Sequence, residues 1–208
     1  MLKEMSLEDF GRAVASDAPV PGGGSVSALA GGLAGALAAM VARLTLKKEK
    51  FAEVHPLMEE LGQEAEALHG KLMAAVDEDA DSYRQVLAAF RLPKSDEAAK
   101  KARRDAIQAA FLHAAQVPLK VAEWSAQVME LAGKAASRGN PDMVTDAAVG
   151  LFMARSAVLG ALMNVRINLD SIEETEAVAA MRKRARDMEK AVTEREKKLS
   201  ALLSAGRG

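Results

Sequence analysis

The sequence predicts an all-α fold, a bundle of long antiparallel helices. Three observations carry this. Half of the residues are apolar but only 3% are aromatic, so alanine, leucine and methionine must supply the core, and alanine and leucine are strong helix formers. Apolar positions recur mostly at three- and four-residue steps, as in Leu57, Leu61, Leu68, Leu72, Val76, Tyr83, Leu87 and Phe90. No segment shows the alternation of a strand, and the loops between periodic stretches are short, which favours antiparallel neighbours.

The elements follow in order. Ser6 with Asp9 three residues on resembles a capping box and opens a short helix to about Ser16. DAPVPGGG reads as a loop, in which Pro19 and Pro21 break helix and the glycines allow positive φ. A second helix is expected from Ser25 to Lys48, and a third from His55-Pro56 to the stop at Pro93. Ser95, Asp96 and Glu97 place acids at the positive end of the next helix. It runs to about Arg138 with a kink or break expected at Pro118. Gly139-Asn140-Pro141 is a stop signal, and a further apolar helix leads from Met143 into NVRINLDSI. Ser171 with Glu174 forms a capping pair for a last, densely charged helix with Met181, Ala185, Met188 and Val192 on one stripe. Without repeats or low-complexity linkers, residues 1–208 read as a single domain.

Composition excludes several function classes. The net charge of −1 points to no nucleic-acid partner. The absence of cysteine removes disulfides, thiolate metal sites and a cysteine nucleophile, and fits a reducing compartment. His55, His69 and His113 lack ligand spacing, so no metal site is indicated. The N-terminus is charged and has no apolar signal core, so a cytoplasmic location is expected. The run VSALAGGLAGALAAMVA lies at the lower edge of the ~20 residues that span a bilayer. It is rich in alanine and glycine, so it reads as a buried core helix with no membrane partner.

Four stretches hold candidate chemistry. Gly22, Gly23, Gly24 and Ser25 directly precede an apolar helix, where free N–H groups favour an anion or a polar carbonyl. Neither the dinucleotide nor the Walker pattern fits them. Ser25 serves there as N-cap or as ligand contact. In VDEDADSY, Asp77 and Asp81 share a face and read as a solvated patch. Asp79 turns toward the apolar stripe of Val76 and Tyr83 and is the candidate acid or base. Asn140 sits in a loop, and Asp146 lies about one turn into the helix after it. Asn164, Arg166 and Asn168 lie in or at the end of an apolar helix; the two amides, four residues apart, either bind a heterocycle or tie loops together.

In this order, APVPGGGSVSALAGGLAGALAAMVARLT, LKK, VDEDADSY, GNPDMVTDAAVG and NVRINL resemble the cyclodeaminase/cyclohydrolase family over nearly the whole chain. The family comprises the cyclodeaminase domain of formiminotransferase-cyclodeaminase and stand-alone methenyltetrahydrofolate cyclohydrolases. The resemblance implies an all-helical homodimer and a reduced folate, with or without a polyglutamate tail, as substrate, with no tightly bound cofactor. It implies one of two reactions: closure of a formimino group with release of ammonia, or addition of water to a methenyl bridge. A catalytically silent folate-binding protein and a helical scaffold are the rival readings. The resemblance makes Asp79 the general acid/base. It nominates Lys47, Lys48 and Arg166 for the folate carboxylates, and Asn140, Asp146, Asn164 and Asn168 for the pterin or the pocket wall. Thr145 stands where the family commonly has serine before Asp146, and keeps the hydroxyl. No formiminotransferase segment precedes the matching blocks, which leaves a cyclohydrolase or a cyclodeaminase working with a separate transferase.

Overall fold

Helix ends fall where local chemistry sets them. The computed structural model describes residues 1–173 and 175–205, the side chains of 198–205 excepted. Among these the α-helices are α1 (Leu7–Val14), α2 (Gly23–Leu46), α3 (His55–Phe90), α4 (Glu97–Arg138), α5 (Val144–Leu169) and α6 (Glu176–Ala205). Short 3-10 segments at Leu2–Glu4, Glu49–Val54 and Pro141–Met143 precede α1, α3 and α5, and no strand occurs among the described residues. Ser6 caps α1 by accepting from the Asp9 N–H at 3.1 Å, and Asp96 caps α4 by accepting from the Ala99 N–H at 2.8 Å.

Three expectations are corrected. First, α2 begins two residues before Ser25, with Gly22 as N-cap, so Ser25 is not the cap but lies within the first turn. No glycine among the described residues has positive φ; of Gly22, Gly23 and Gly24, the last serves close approach rather than a left-handed turn. Second, α4 continues through Pro118 without the break that the proline allowed. Proline has no N–H, which leaves the carbonyl of Ala114 without its intrahelical donor. The side chain of Asn168 on α5 donates to that carbonyl at 2.7 Å. Third, Ser171 does not open α6. Its N–H and that of Ile172 return to Asn168 and Leu169, continuing the end of α5, and Thr175 accepts from the Val178 N–H at 3.2 Å. Glu174 lies outside the described residues.

Helices α2 to α5 form the bundle, and α2 is its central member. Small residues make this possible, because they let backbones approach. A Cβ on Gly31 would stand 2.5 Å from Ser125 Oγ on α4, and one on Gly35 would stand 3.2 Å from the Ala65 carbonyl on α3. Gly150 and Gly160 of α5 pack in turn on Leu37 and Ser27 of α2. These pairings run α3 and α5 antiparallel to α2, and α4 parallel to it. Met58, Leu61, Leu72, Met129, Leu151 and Leu162 are almost wholly buried between the helices. Both α2 and Pro141–Leu169 are long and apolar enough to cross a membrane, but α2 packs against three neighbours as a core helix. The last helix, α6, lies across α4 and α5 with Val178, Ala185 and Val192 buried. Ion pairs flank it: Arg155–Glu196 at 2.6 Å, Arg166–Glu189 at 2.5 Å and Arg184–Glu123 at 3.0 Å.

The Pro118–Asn168 pairing is open to a double-mutant cycle. Asn168→Ala is expected to cost about 1–3 kcal/mol in urea unfolding, because it orphans a buried carbonyl. In a Pro118→Ala background the new N–H serves Ala114, and the same change is expected to cost much less. Equal costs in both backgrounds would mean that the amide does not compensate for the proline.

Candidate active site

The first turn of a helix offers N–H groups with no intrahelical partner. At the start of α2 the cap residue, Gly22, has no side chain to meet them. A carboxylate from the next helix stands beside this turn and accepts from Ser25. Asp79 of α3 lies against Gly24, so closely that a Cβ there would stand 2.5 Å from Asp79 Cγ and 2.6 Å from Oδ2. Only glycine leaves room for it. Ser25 shares its hydroxyl proton between Asp79 Oδ2 and the Val76 carbonyl, each at 3.0 Å. On the other side of the same turn stands Asn164 of α5, its Nδ2 3.5 Å from where a Gly23 Cβ would be and 2.9 Å from the Gly160 carbonyl, to which it donates.

Burial pushes the Asp79 carboxyl above its ordinary range, and hydrogen bonds from the Ser25 side chain and backbone only partly offset this. The positive end of α2 acts in the same direction as those bonds. Asp79 is thus an acid held off bulk water and shifted toward neutral pH, with fixed donors on one side. Its other side faces a cavity of about 400 Å³. Gly22, Gly23, Gly24, Asp79, Asn164 and Asn168 all line it, together with Pro19, Val20, Ser82, Tyr83, Phe90, Phe111, Ile167 and Ser171. The chain has five phenylalanines, one tyrosine and one tryptophan; two of those phenylalanines and the tyrosine stand here. Aromatic and apolar walls stand beside the polar groups of Asp79, Ser82, Asn164, Asn168 and Ser171, an arrangement that suits a flat heterocycle.

Other nominated residues lie elsewhere. Lys47 and Lys48 are exposed just past the far end of α2, about 36 Å of helix from the glycine turn. Asn140 and Asp146 share that far end. The Asn140 side chain caps the 141–143 turn by accepting from the Asp142 N–H at 3.1 Å, and its own N–H donates to Thr45 Oγ1 at 2.9 Å. Asp146 is half-buried in the first turn of α5. Arg166 points to α6, where it pairs with Glu189. The acids beside Asp79 also differ from one another. Asp81 is exposed and paired with Arg84, whereas Asp77 is half-buried and accepts from the Leu2 N–H at 2.5 Å, tying the N-terminal turn to α3. Asp77 is therefore not the solvated acid that its spacing implied. Sequence reasoning placed Tyr83 and Phe90 on a core stripe and did not single out Phe111. The available signal was the continuation of the Asp79 face, one turn on to Tyr83 and then to Phe90, where scarce aromatics collect. No group of three or more His, Asp or Glu placed to hold a metal occurs among the described residues.

The raised pKa of Asp79 makes a stability prediction with a definite sign. The folded protein accommodates the protonated carboxyl better than the carboxylate. Its contribution is therefore fullest below the ordinary carboxylate pKa and is lost as pH rises through the raised one. Asp79→Asn has no such dependence, so its Tm relative to the unsubstituted protein is expected to climb with pH across that window. A constant difference in Tm from acid to neutral pH would contradict the raised pKa.

Known proteins share this chain's sequence and form. Residues 6–187 match the family model described as formiminotransferase-cyclodeaminase. The chain is 32% identical over 169 residues to the methenyltetrahydrofolate cyclohydrolase of Methylorubrum extorquens, a match that covers 81% of each. It is 34% identical over 173 residues to the formimidoyltransferase-cyclodeaminase of Rattus norvegicus, covering 83% of this chain and 32% of that longer protein. The crystal structure of formiminotetrahydrofolate cyclodeaminase from Thermotoga maritima superposes with a TM-score of 0.82 at 27% identity, covering 96% of this chain and 97% of that one. With the match extending over most of its length in sequence and in fold, this chain belongs to the formiminotransferase-cyclodeaminase family.

Proposed function

We propose that the chain is an enzyme of one-carbon folate chemistry, and that a reduced folate binds in the Asp79 cavity. The observation that carries this is a carboxyl shifted toward neutral pH, held by Ser25 and lining a cavity with aromatic walls. The names of the cyclohydrolase and cyclodeaminase relatives support the substrate class.

Two reactions fit one proton-transfer centre. In the first, water adds to the carbon bridging two folate nitrogens. Asp79 takes one proton of that water as the C–O bond forms, then returns it to the nitrogen that departs, while the remaining hydroxyl proton is lost to solvent and a formyl group is left on the other nitrogen. In the second, a folate nitrogen attacks the carbon of a protonated formimino group, turning its =NH2+ into an amino group; Asp79 takes the proton from the attacking nitrogen and gives it to that amino group, which leaves as ammonia and leaves the methenyl cation. Both pass through a tetrahedral carbon, and the methenyl form is cationic, so the carboxylate also stabilises charge. The Methylorubrum relative favours the first reaction and the Thermotoga relative the second. Asn164 and Asn168 supply amide groups for the ring, and Tyr83, Phe90 and Phe111 supply faces for it.

In this reading the active form is a homodimer in the cytoplasm. Val26 and Leu33 of α2, with Val149, Phe152, Met163 and Ile167 of α5, make neighbouring exposed apolar stripes, Met163 at 67% and Ile167 at 64% exposure. A second copy covering them removes that area from water.

Absorbance assays with methenyl- and formimino-tetrahydrofolate, run side by side, decide between the reactions. Asp79→Asn is expected to lower turnover by about 10²–10⁴-fold while folate still protects the protein in a thermal-shift measurement. No turnover of either folate by the unsubstituted protein would leave only a silent folate-binding protein or a scaffold. For the assembly, sedimentation should show a dimer that Met163→Asp converts to a monomer; a monomeric parent protein would refute the homodimer.

A further inference from the structure

Phe90 ends α3, and Pro93 keeps the chain from continuing as helix. Its carbonyl therefore has no following helical N–H. The N–H of Arg91 goes to Ala88 and that of Leu92 to Ala89. The carbonyl of Phe90 is met from α4 instead, where Arg103 donates to it through Nε at 3.2 Å and Nη2 at 3.1 Å. The same guanidinium stands over the Phe90 ring, 5.6 Å from its centroid. Phe111, about two turns further along α4, meets that ring edge-on, with centroids 6.0 Å apart and planes at 83°. Helix α4 thus grips Phe90 twice, by a cation and by a second ring. The grip matters because Phe90 is 46% exposed, so burial alone does not hold it.

We propose that Arg103 is a positioning residue for the cavity: it fixes the Phe90 ring as part of the wall on which the flat ring of the substrate rests. This rests on the folate reading above. Phe90 and Phe111 line the cavity and Arg103 does not. Eleven residues, about 16 Å of helix, separate Phe90 from Asp79, so the clamp acts on substrate affinity and leaves the proton shuttle alone. The geometry calls for arginine. Its planar fork places two N–H groups on one carbonyl while its face covers the ring, which a lysine ammonium cannot do.

Kinetics on the reduced folate that the unsubstituted protein turns over supply the test. Arg103→Ala is expected to raise KM about fivefold with kcat within about twofold, and Arg103→Lys to fall between. Phe90→Ala is expected to raise KM by itself, with little further change when Arg103→Ala is added. Additive losses, as direct contact between Arg103 and a substrate carboxylate would give, overturn the proposal; so does a fall in kcat at unchanged KM. A second readout needs no substrate. With para-fluorophenylalanine incorporated at the five phenylalanines, the Phe90 resonance, assigned through Phe90→Leu, is expected to shift and narrow in Arg103→Ala. An unmoved resonance overturns the clamp. A resonance that moves, in a protein that turns over no reduced folate, leaves the clamp standing but brings down the folate reading and the positioning role together.

Discussion

A carboxylate against the open end of a helix organises this molecule. Asp79 of α3 occupies the space that glycine leaves beside Gly24 at the start of α2, and Ser25 binds it from within the same turn. The contact works in two directions. It gives this turn an acceptor that Gly22 cannot supply, and it fixes the register of α3 against α2, since a shift by one residue would turn the carboxylate away from Ser25. The same arrangement withdraws Asp79 from water and raises its pKa. The helix contact and the raised pKa thus fall on one side chain.

Small residues extend that logic through the bundle. Where Gly31 and Gly35 of α2 face Ser125 and Ala65, the backbones approach more closely than any side chain would allow. A core built from alanine, leucine, valine and methionine has little need of large rings. The few aromatics are free for the cavity end, where Tyr83, Phe90 and Phe111 form walls. The proline within α4 fits the same pattern. Its missing hydrogen bond is made good by Asn168, so one amide joins α5 to α4 and also borders the cavity.

The motif blocks separate into two groups in space. The glycine turn, Asp79, Asn164 and Asn168 meet at one end of the bundle. Lys47, Lys48, Asn140 and Asp146 gather at the other, where Gly139 and Asn140 pack on Thr45. The second group contains a turn whose residues have work of their own: Asn140 caps it, and Gly139 stands where a Cβ would meet the Ala135 carbonyl at 2.5 Å. Order along the chain does not distinguish residues that build a turn from residues that face a cavity.

Much was legible from the chain alone. Helical class and the approximate helix limits follow from periodicity, proline and capping chemistry, which act over a few residues and leave their mark locally, whereas the role given to Asp79 comes from the family resemblance. The distinction among Asp77, Asp79 and Asp81 was only half legible. The turn of about 200° per two residues separates Asp79 from the other pair, but nothing local reveals that Leu2 returns to bind Asp77. Likewise, no local rule shows that Asn168 will repair the gap left by Pro118, that Arg166 will turn to α6, or that Arg103 will reach back to Phe90. Each of these depends on which helix faces which, and at what register. That is settled by packing of whole helices, whose contacts join residues far apart in the chain.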